Sequence, residues 1–170
     1  KMYKVELIVF AGAKRIGKSM LNAIRVLPGV FLPGHITRLY APEHRLASRE
    51  FNWIKKLIFG PRDGACLVDA APQLKQHLIE FEDNPKHEQI MRWSNGSEIR
   101  SQSATPDMKN WVGEEIDLGI ICEPGQFVDL KHAYDHYIHP NLNDRGGLVC
   151  AAGTVDKLGM KDLHEQAHDH

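Results

Sequence analysis

Apolar residues along this chain fall into short runs separated by Gly- and Pro-bearing turns, the spacing expected of strands that alternate with helices. Lys4 to Phe10 (KVELIVF) is mostly apolar and contains β-branched residues; a Gly-bearing turn follows, and then Lys18 to Leu27 places Met20, Leu21, Ile24 and Leu27 at helical spacing. Pro28-Gly29 and Pro33-Gly34 mark a surface connection, His35 to Tyr40 (HITRLY) reads as a second strand, and a helix is expected from roughly Glu43 to Leu57, with Leu46, Phe51, Ile54 and Leu57 able to share a face. From Gly60 to Glu88 the pattern loosens around one helical stretch, Gln73 to Phe81, so that residues 61–92 are expected to leave the core sheet. Asn95-Gly96 lies between Ile90–Trp93 and Ser97–Ser103, a strong hairpin signal whose arms should pair. Ile116 to Cys122 (IDLGIIC) and Gly147 to Ala152 (GLVCAA) are further candidates for buried strands. The alternation predicts one α/β domain over residues 1–170, with a central, mostly parallel sheet covered on both faces.

The turn between the first strand and the first helix carries the chemistry. Gly12-Ala13-Lys14-Arg15-Ile16-Gly17-Lys18-Ser19 satisfies G-x-x-x-x-G-K-[ST] without a mismatch. It also stands where that pattern must stand, so that backbone N–H groups and a helix N-terminus face phosphate oxygens. The expectation is a three-layer P-loop NTPase of the additional-strand, catalytic-glutamate (ASCE) type, with ATP as substrate. Lys18 is expected to reach the β- and γ-phosphates, and the Ser19 hydroxyl to join the Mg²⁺ shell. Lys14 and Arg15 lie inside the loop, where either cation can offset charge on the transferred phosphoryl group or remain solvated.

Composition narrows the class but adds no site. Lys and Arg total 21 against 22 Asp and Glu, a formal net charge of -1, so any contact with nucleic acid must come from local patches. The three cysteines, Cys66, Cys122 and Cys150, are odd in number and widely spaced, and two lie in apolar runs, which argues for a reducing, cytosolic setting rather than a disulfide framework. No apolar run approaches the roughly 20 residues that span a bilayer, so no membrane partner is expected.

A P-loop requires an acidic partner at the end of a neighbouring buried strand. Glu123, directly after IDLGIIC, is the natural activator of the attacking water and a candidate for the Mg²⁺ site. Where Asp-Glu is usual, this sequence reads Cys122-Glu123, and a neutral thiol is a poor ligand for a hard cation. Three expectations stay open: Mg²⁺ held by Ser19, phosphates and waters with Glu123 nearby; another acid, such as Asp117 or Asp156, in the vacant role; or slow hydrolysis.

Taken in order, these segments resemble the ATPase domain of the large terminase subunit, the motor that packages DNA into the heads of tailed bacteriophages. Phe10 to Ser19 resembles that family's Walker A loop with its central basic residue, here Lys14 or Arg15. Arg38-Leu39-Tyr40-Ala41-Pro42, followed by the helix with Phe51, resembles its second strand and helix. Asn95-Gly96-Ser97-Glu98-Ile99, with Ser101 and Ser103, is similar to its N-G-S-x-I strand. Gly113 to Gln126, with Glu123-Pro124-Gly125-Gln126, looks like Walker B and the catalytic glutamate, Cys122 departing from the usual aspartate. Arg145-Gly146-Gly147 leading to Ala152-Gly153-Thr154 resembles the strand and coupling motif, which makes Gly153 and Thr154 the expected γ-phosphate sensors. The resemblance implies ATP hydrolysis that drives viral double-stranded DNA into a procapsid in the host cytoplasm, with the portal protein and small terminase subunit as partners. It also implies a ring of subunits, with Arg145 or Lys109 as weak candidates for an arginine-finger role. The family's adenine-contacting upstream residues and its RNase H-type nuclease domain find no match in these residues.

Rival readings rest on less. His164-Glu165-Gln166-Ala167-His168 spells the H-E-x-x-H of zinc proteases, yet catalytic zinc needs a third protein ligand and only Asp169 and His170 follow; His132, His136 or His139 would have to supply it by coincidence. Those three histidines with Asp135 fall at helical spacing and read as a polar helix face. Trp53, Trp93 and Trp111 read as packing rather than base-stacking platforms, and the cations of Arg45 to Lys56 as the solvated side of an amphipathic helix. Two functional alternatives share the P-loop: a helicase-like ATPase, or a nucleotide-binding module with weak or no turnover.

Overall fold

The computed structural model describes residues 7–13, 17–60, 67–104, 108, 111–142 and 145–153. Seven strands form one sheet: β1 (Leu7–Ala11), β2 (Ile36–Ala41), β3 (Leu78–Glu82), β4 (Ile90–Trp93), β5 (Glu98–Ser103), β6 (Leu118–Cys122) and β7 (Leu148–Gly153). Their spatial order is β1-β7-β6-β2-β5-β4-β3. From β1 to β5 every pairing is parallel, while β5-β4 and β4-β3 are antiparallel. The mostly parallel sheet expected from the alternation is therefore present.

Helices α1 (Lys18–Val30) and α2 (His44–Phe59) cover one face. There Ala23, Val26 and Val30 of α1 and Leu46, Ala47, Phe51, Ile54 and Ile58 of α2 bury against Leu39, Ile120, Cys122 and Cys150 of the sheet. On the other face, Tyr40, Ile121, Val149 and Ala151 meet Trp111 and the helical stretch made of α5 (Leu130–Ala133), a π-helical turn (Tyr134–Ile138) and α6 (His139–Leu142). Two short helices, α3 (Leu67–Ala70) and α4 (Gln73–Gln76), precede β3. Trp93 and Trp111 are core residues, whereas Trp53 is exposed with the Lys56 ammonium 5.3 Å from its ring centroid.

Two expectations are corrected. The helix does not extend over Gln73 to Phe81: α4 ends at Gln76, and Leu78–Glu82 pairs antiparallel with β4, so part of the stretch expected to leave the sheet extends it instead. Cross-strand contacts, including the ion pair of Arg92 with Glu80, outweigh the helix-forming run that ends at Gln76. Likewise α1 runs through Pro28-Gly29 rather than ending at Leu27, closing on Phe31 N–H to Pro28 O (3.2 Å) and Leu32 N–H to Gly29 O (3.1 Å).

The Asn95-Gly96 hairpin turn does more than join β4 to β5. Gly96 takes φ +83°, which favours glycine, and the Asn95 Nδ2 and Ser97 Oγ donors both reach the Val30 carbonyl at the end of α1, each at 3.0 Å. Gly147, just before β7, is required for a different reason. A Cβ there would lie 2.4 Å from the Ile116 carbonyl oxygen and 3.1 Å from that of Asp117, both backbone atoms. Gly147→Ala is expected to destabilise by about 3 kcal/mol and to lower Tm by roughly 10 °C in a thermal melt; an unchanged Tm would show that β7 can shift freely.

Candidate nucleotide site

Parallel strands end on one edge, and that edge gathers the residues picked out by motif. The register pairs Ala11 with Gly153 and Cys122 with Ala152, so Gly12, Gly153 and Glu123 stand side by side at the ends of β1, β7 and β6. Gly12 N–H donates to the Gly153 carbonyl at 3.1 Å, closing the edge between the loop and the end of β7. Gly17 caps α1 at φ 86°, a left-handed conformation that glycine adopts without strain. The first turn of α1 contains no acidic residue of its own.

Lys18, the first residue of α1, folds back over the loop. Its Nζ donates to Gly12 O at 3.0 Å and to Ala13 O at 2.6 Å. Lys14, Arg15 and Ile16 lie outside the described residues, as do Thr154, Asp156, Lys109, Cys66 and the H-E-x-x-H tail.

Glu123 leaves β6 in a left-handed conformation, φ 51° and ψ 56°, and it is the one non-glycine residue with positive φ among those described. Such a backbone costs of order 1–3 kcal/mol, and non-glycine outliers of this kind cluster at functional sites. Its carboxylate is half-buried, with Arg49 Nη1 of α2 at 3.9 Å from Oε1. Cys122 is fully buried among the core residues beneath α1 and α2, its Sγ 3.8 Å from the Ile120 carbonyl. Burial first, and then the Glu50 and Glu123 carboxylates, hold its thiol well above the usual range, so it is neutral. Asp117 does not take its place. It sits at the opposite edge of the sheet, where Oδ2 accepts from Ile36 N–H (2.8 Å) and Arg145 Nη1 (3.0 Å). Arg145 is thereby engaged by Asp117 and Glu115 at that same far edge.

The arrangement adds an acid that the motif pattern did not indicate. Glu50 of α2 is 5% exposed, and its carboxyl is raised to about 7, chiefly by burial, with the Ser19 hydroxyl acting the other way and the Glu123 charge pushing further up. Ser19, Glu50, Cys122 and Glu123 thus meet where α1, α2 and the end of β6 converge. The signal for Glu50 was available: it stands four residues after Leu46 and four before Ile54, a carboxylate in the apolar stripe of an amphipathic helix. Arg49, next to it on the exposed side, was read only as part of a solvated basic face.

The histidine cluster forms no comparable site. His132 and His136 lie side by side, ring centroids 4.5 Å apart and planes tilted by 49°, on the exposed side of α5 and the π-helical turn, while Ala133, Tyr134 and Ile138 face the core. Among the described residues no group of three or more His, Cys, Asp or Glu side chains is placed to hold a metal. No described helix is long and apolar enough to cross a membrane.

No protein-family model matches the sequence, and no curated protein does. Solved structures do. The large terminase ATPase domain of Thermus phage P74-26 is similar with a TM-score of 0.61 at 19% identity, covering 90% of this chain and 60% of that one. The fold is that of a large terminase ATPase domain. The terminase likeness extends to the bacteriophage HK97 large terminase (TM-score 0.58, 17% identity, 88% of this chain and 29% of that one). It extends also to the large terminase of the thermophilic bacteriophage D6E in complex with ADP (TM-score 0.53, 8% identity, 88% and 33%). This chain therefore spans less than two thirds of each of these three terminase chains.

Proposed function

We propose that this chain is a Mg²⁺-dependent ATPase of the terminase type, whose hydrolysis drives double-stranded viral DNA into a procapsid. The observation that carries the reading is the convergence of Gly12, Ser19, Glu123 and Gly153 at the carboxyl edge of a terminase-type sheet. The D6E neighbour was solved with ADP, which supports an adenine nucleotide as the ligand. The donors fit a hard cation: the Ser19 hydroxyl and the Glu123 carboxylate are oxygen groups, and the Cys122 thiol is turned into the core. When bound with the nucleotide, Mg²⁺ supplies positive charge to the β- and γ-phosphate oxygens.

The chain's own residues have separable tasks in this reading. Lys18 exchanges the Gly12 and Ala13 carbonyls for phosphate oxygens. The loop amides and the N-terminus of α1 hold the remaining phosphate charge. Glu123 orients water in line with the γ-phosphate and accepts its proton, and Arg49 lies close enough to set where that carboxylate points. Lys14 or Arg15 adds positive charge, and Gly153 with Thr154 senses the γ-phosphate. The proposed partners are duplex DNA, a portal protein, a small terminase subunit and further copies of the chain in a ring, working in the host cytoplasm.

The deciding experiment measures ATP binding and turnover by the chain alone, then with duplex DNA, then with portal and small-subunit proteins. Lys18→Ala removes a charge-assisted contact and is expected to weaken ATP binding about 100-fold, from a loss of about 3 kcal/mol. Unaltered affinity would remove Lys18 from the site. A second reading, nucleotide binding without turnover, is favoured by the neutral, buried Cys122. It holds if ATP binds and no condition yields phosphate release. Stimulation by forked rather than fully duplex DNA would favour a helicase.

A further inference from the structure

The position that Walker B aspartate normally fills is occupied here by a thiol sealed in the core. A carboxylate nonetheless reaches the same place from another element. Helix α2 packs along α1, and its apolar stripe of Leu46, Ile54 and Ile58 is interrupted at Glu50, whose carboxylate comes against the side chain of Ser19 on α1 with Cys122 and Glu123 as its other neighbours. Apolar packing alone would favour a hydrophobic residue at a position 5% exposed, so a carboxylate there invites a role.

A hydroxyl carries one proton to donate and two lone pairs to offer. If its proton is taken by a carboxylate, the lone pairs are directed elsewhere. We propose that Glu50 is the positioning residue of this phosphate site: it accepts the Ser19 hydroxyl proton as a hydrogen bond and turns the Ser19 oxygen toward Mg²⁺ of a bound Mg²⁺–nucleotide, the task that Cys122 cannot perform. The inference rests on the nucleotide-site reading above and deepens it. Asp117 is excluded from the task by its place at the far edge, bound to Ile36 N–H and Arg145.

The test separates metal-linked binding from folding and from turnover. Affinity for a fluorescent ATP analogue is measured with excess Mg²⁺ and with EDTA, for the wild-type chain, Glu50→Leu, Glu50→Gln, Ser19→Ala and the Glu50→Leu/Ser19→Ala pair, with thermal melts as the folding check. Wild type is expected to bind about tenfold or more tighter with Mg²⁺. Glu50→Leu, which has no acceptor for the Ser19 proton, should keep the EDTA affinity within about twofold and lose most of the Mg²⁺ increment, while Glu50→Gln, whose amide oxygen still accepts, should recover part of it. Ser19→Ala should lose the same increment, and the double variant should lose no more than either single one, because both changes break one unit. A full Mg²⁺ increment in Glu50→Leu, or losses that simply add, overturns the inference while leaving the nucleotide site intact. A wild-type chain that binds no nucleotide under either condition overturns both.

Discussion

Glu123→Gln is expected to reduce ATP turnover by about 10³-fold while ATP affinity changes less than about twofold. Glutamine keeps the size of the side chain and its capacity to hydrogen-bond a water, but the amide cannot accept the water's proton. The loss should therefore fall on kcat and on single-turnover rates rather than on binding. The backbone at Glu123 argues for a directed carboxylate. A left-handed conformation at a non-glycine residue persists only where its surroundings impose it, and here β6 ends in register with β7 while Arg49 of α2 stands 3.9 Å from the carboxylate. Turnover within about threefold of wild type would transfer the role to another group, with Glu50 the first to examine.

The second large effect is on stability and runs opposite to the usual cost of mutating a buried residue. Glu50 ionises near 7 in the fold and near 4.5 when exposed, with burial as the main cause. Between those values the folded chain holds a proton that the unfolded chain has released. Glu50 therefore contributes stability below about pH 4.5, loses that contribution as pH rises, and is a net burden once pH passes about 7. The difference corresponds to about 3 kcal/mol. Glu50→Gln, which stays neutral, is expected to be more stable than wild type by up to that amount at pH 8 without metal, with the advantage gone at pH 4.5. Urea or thermal denaturation at several pH values reads this directly. A stability difference independent of pH would mean that Glu50 is not ionising inside the fold.

The parallel part of the sheet was legible because β2, β6 and β7 are buried on both faces, which forces apolar runs that punctuation by Gly and Pro makes visible. β3 was not. Ile79 and Phe81 are exposed at the far edge of the sheet, so that no burial pattern distinguishes strand from helix there, and the pairing with β4 decides. At the site, the loop and Glu123 each carry a local signal, a Gly-rich strand-to-helix turn and an acid that ends an apolar run, and the sheet register brings their strand ends to one edge. The meeting of Glu50 with Ser19 has no such signal, because it is made by the packing of two helices that the sequence does not pair. Cys122 was visible as an irregularity, but that its thiol faces the core, and not the edge where Glu123 stands, is a property of the packed structure.

Helix α1 is fastened at its C-terminal end to the β4-β5 turn. Its last carbonyl is gripped by Asn95 and Ser97 from the β4-β5 turn, whereas its first turn rises from the glycine-flanked loop. Its 13 residues make a rod of about 20 Å. A push of 1 Å at Gly17 then becomes a tilt of about 3° around the Val30 end. Because α2 lies against this rod, the swing is passed to a neighbouring helix whose outer side bears Arg45, Arg49 and Lys56. Filling and emptying the loop would thus work a crank, with its bearing in the hairpin turn and its throw at the phosphate end.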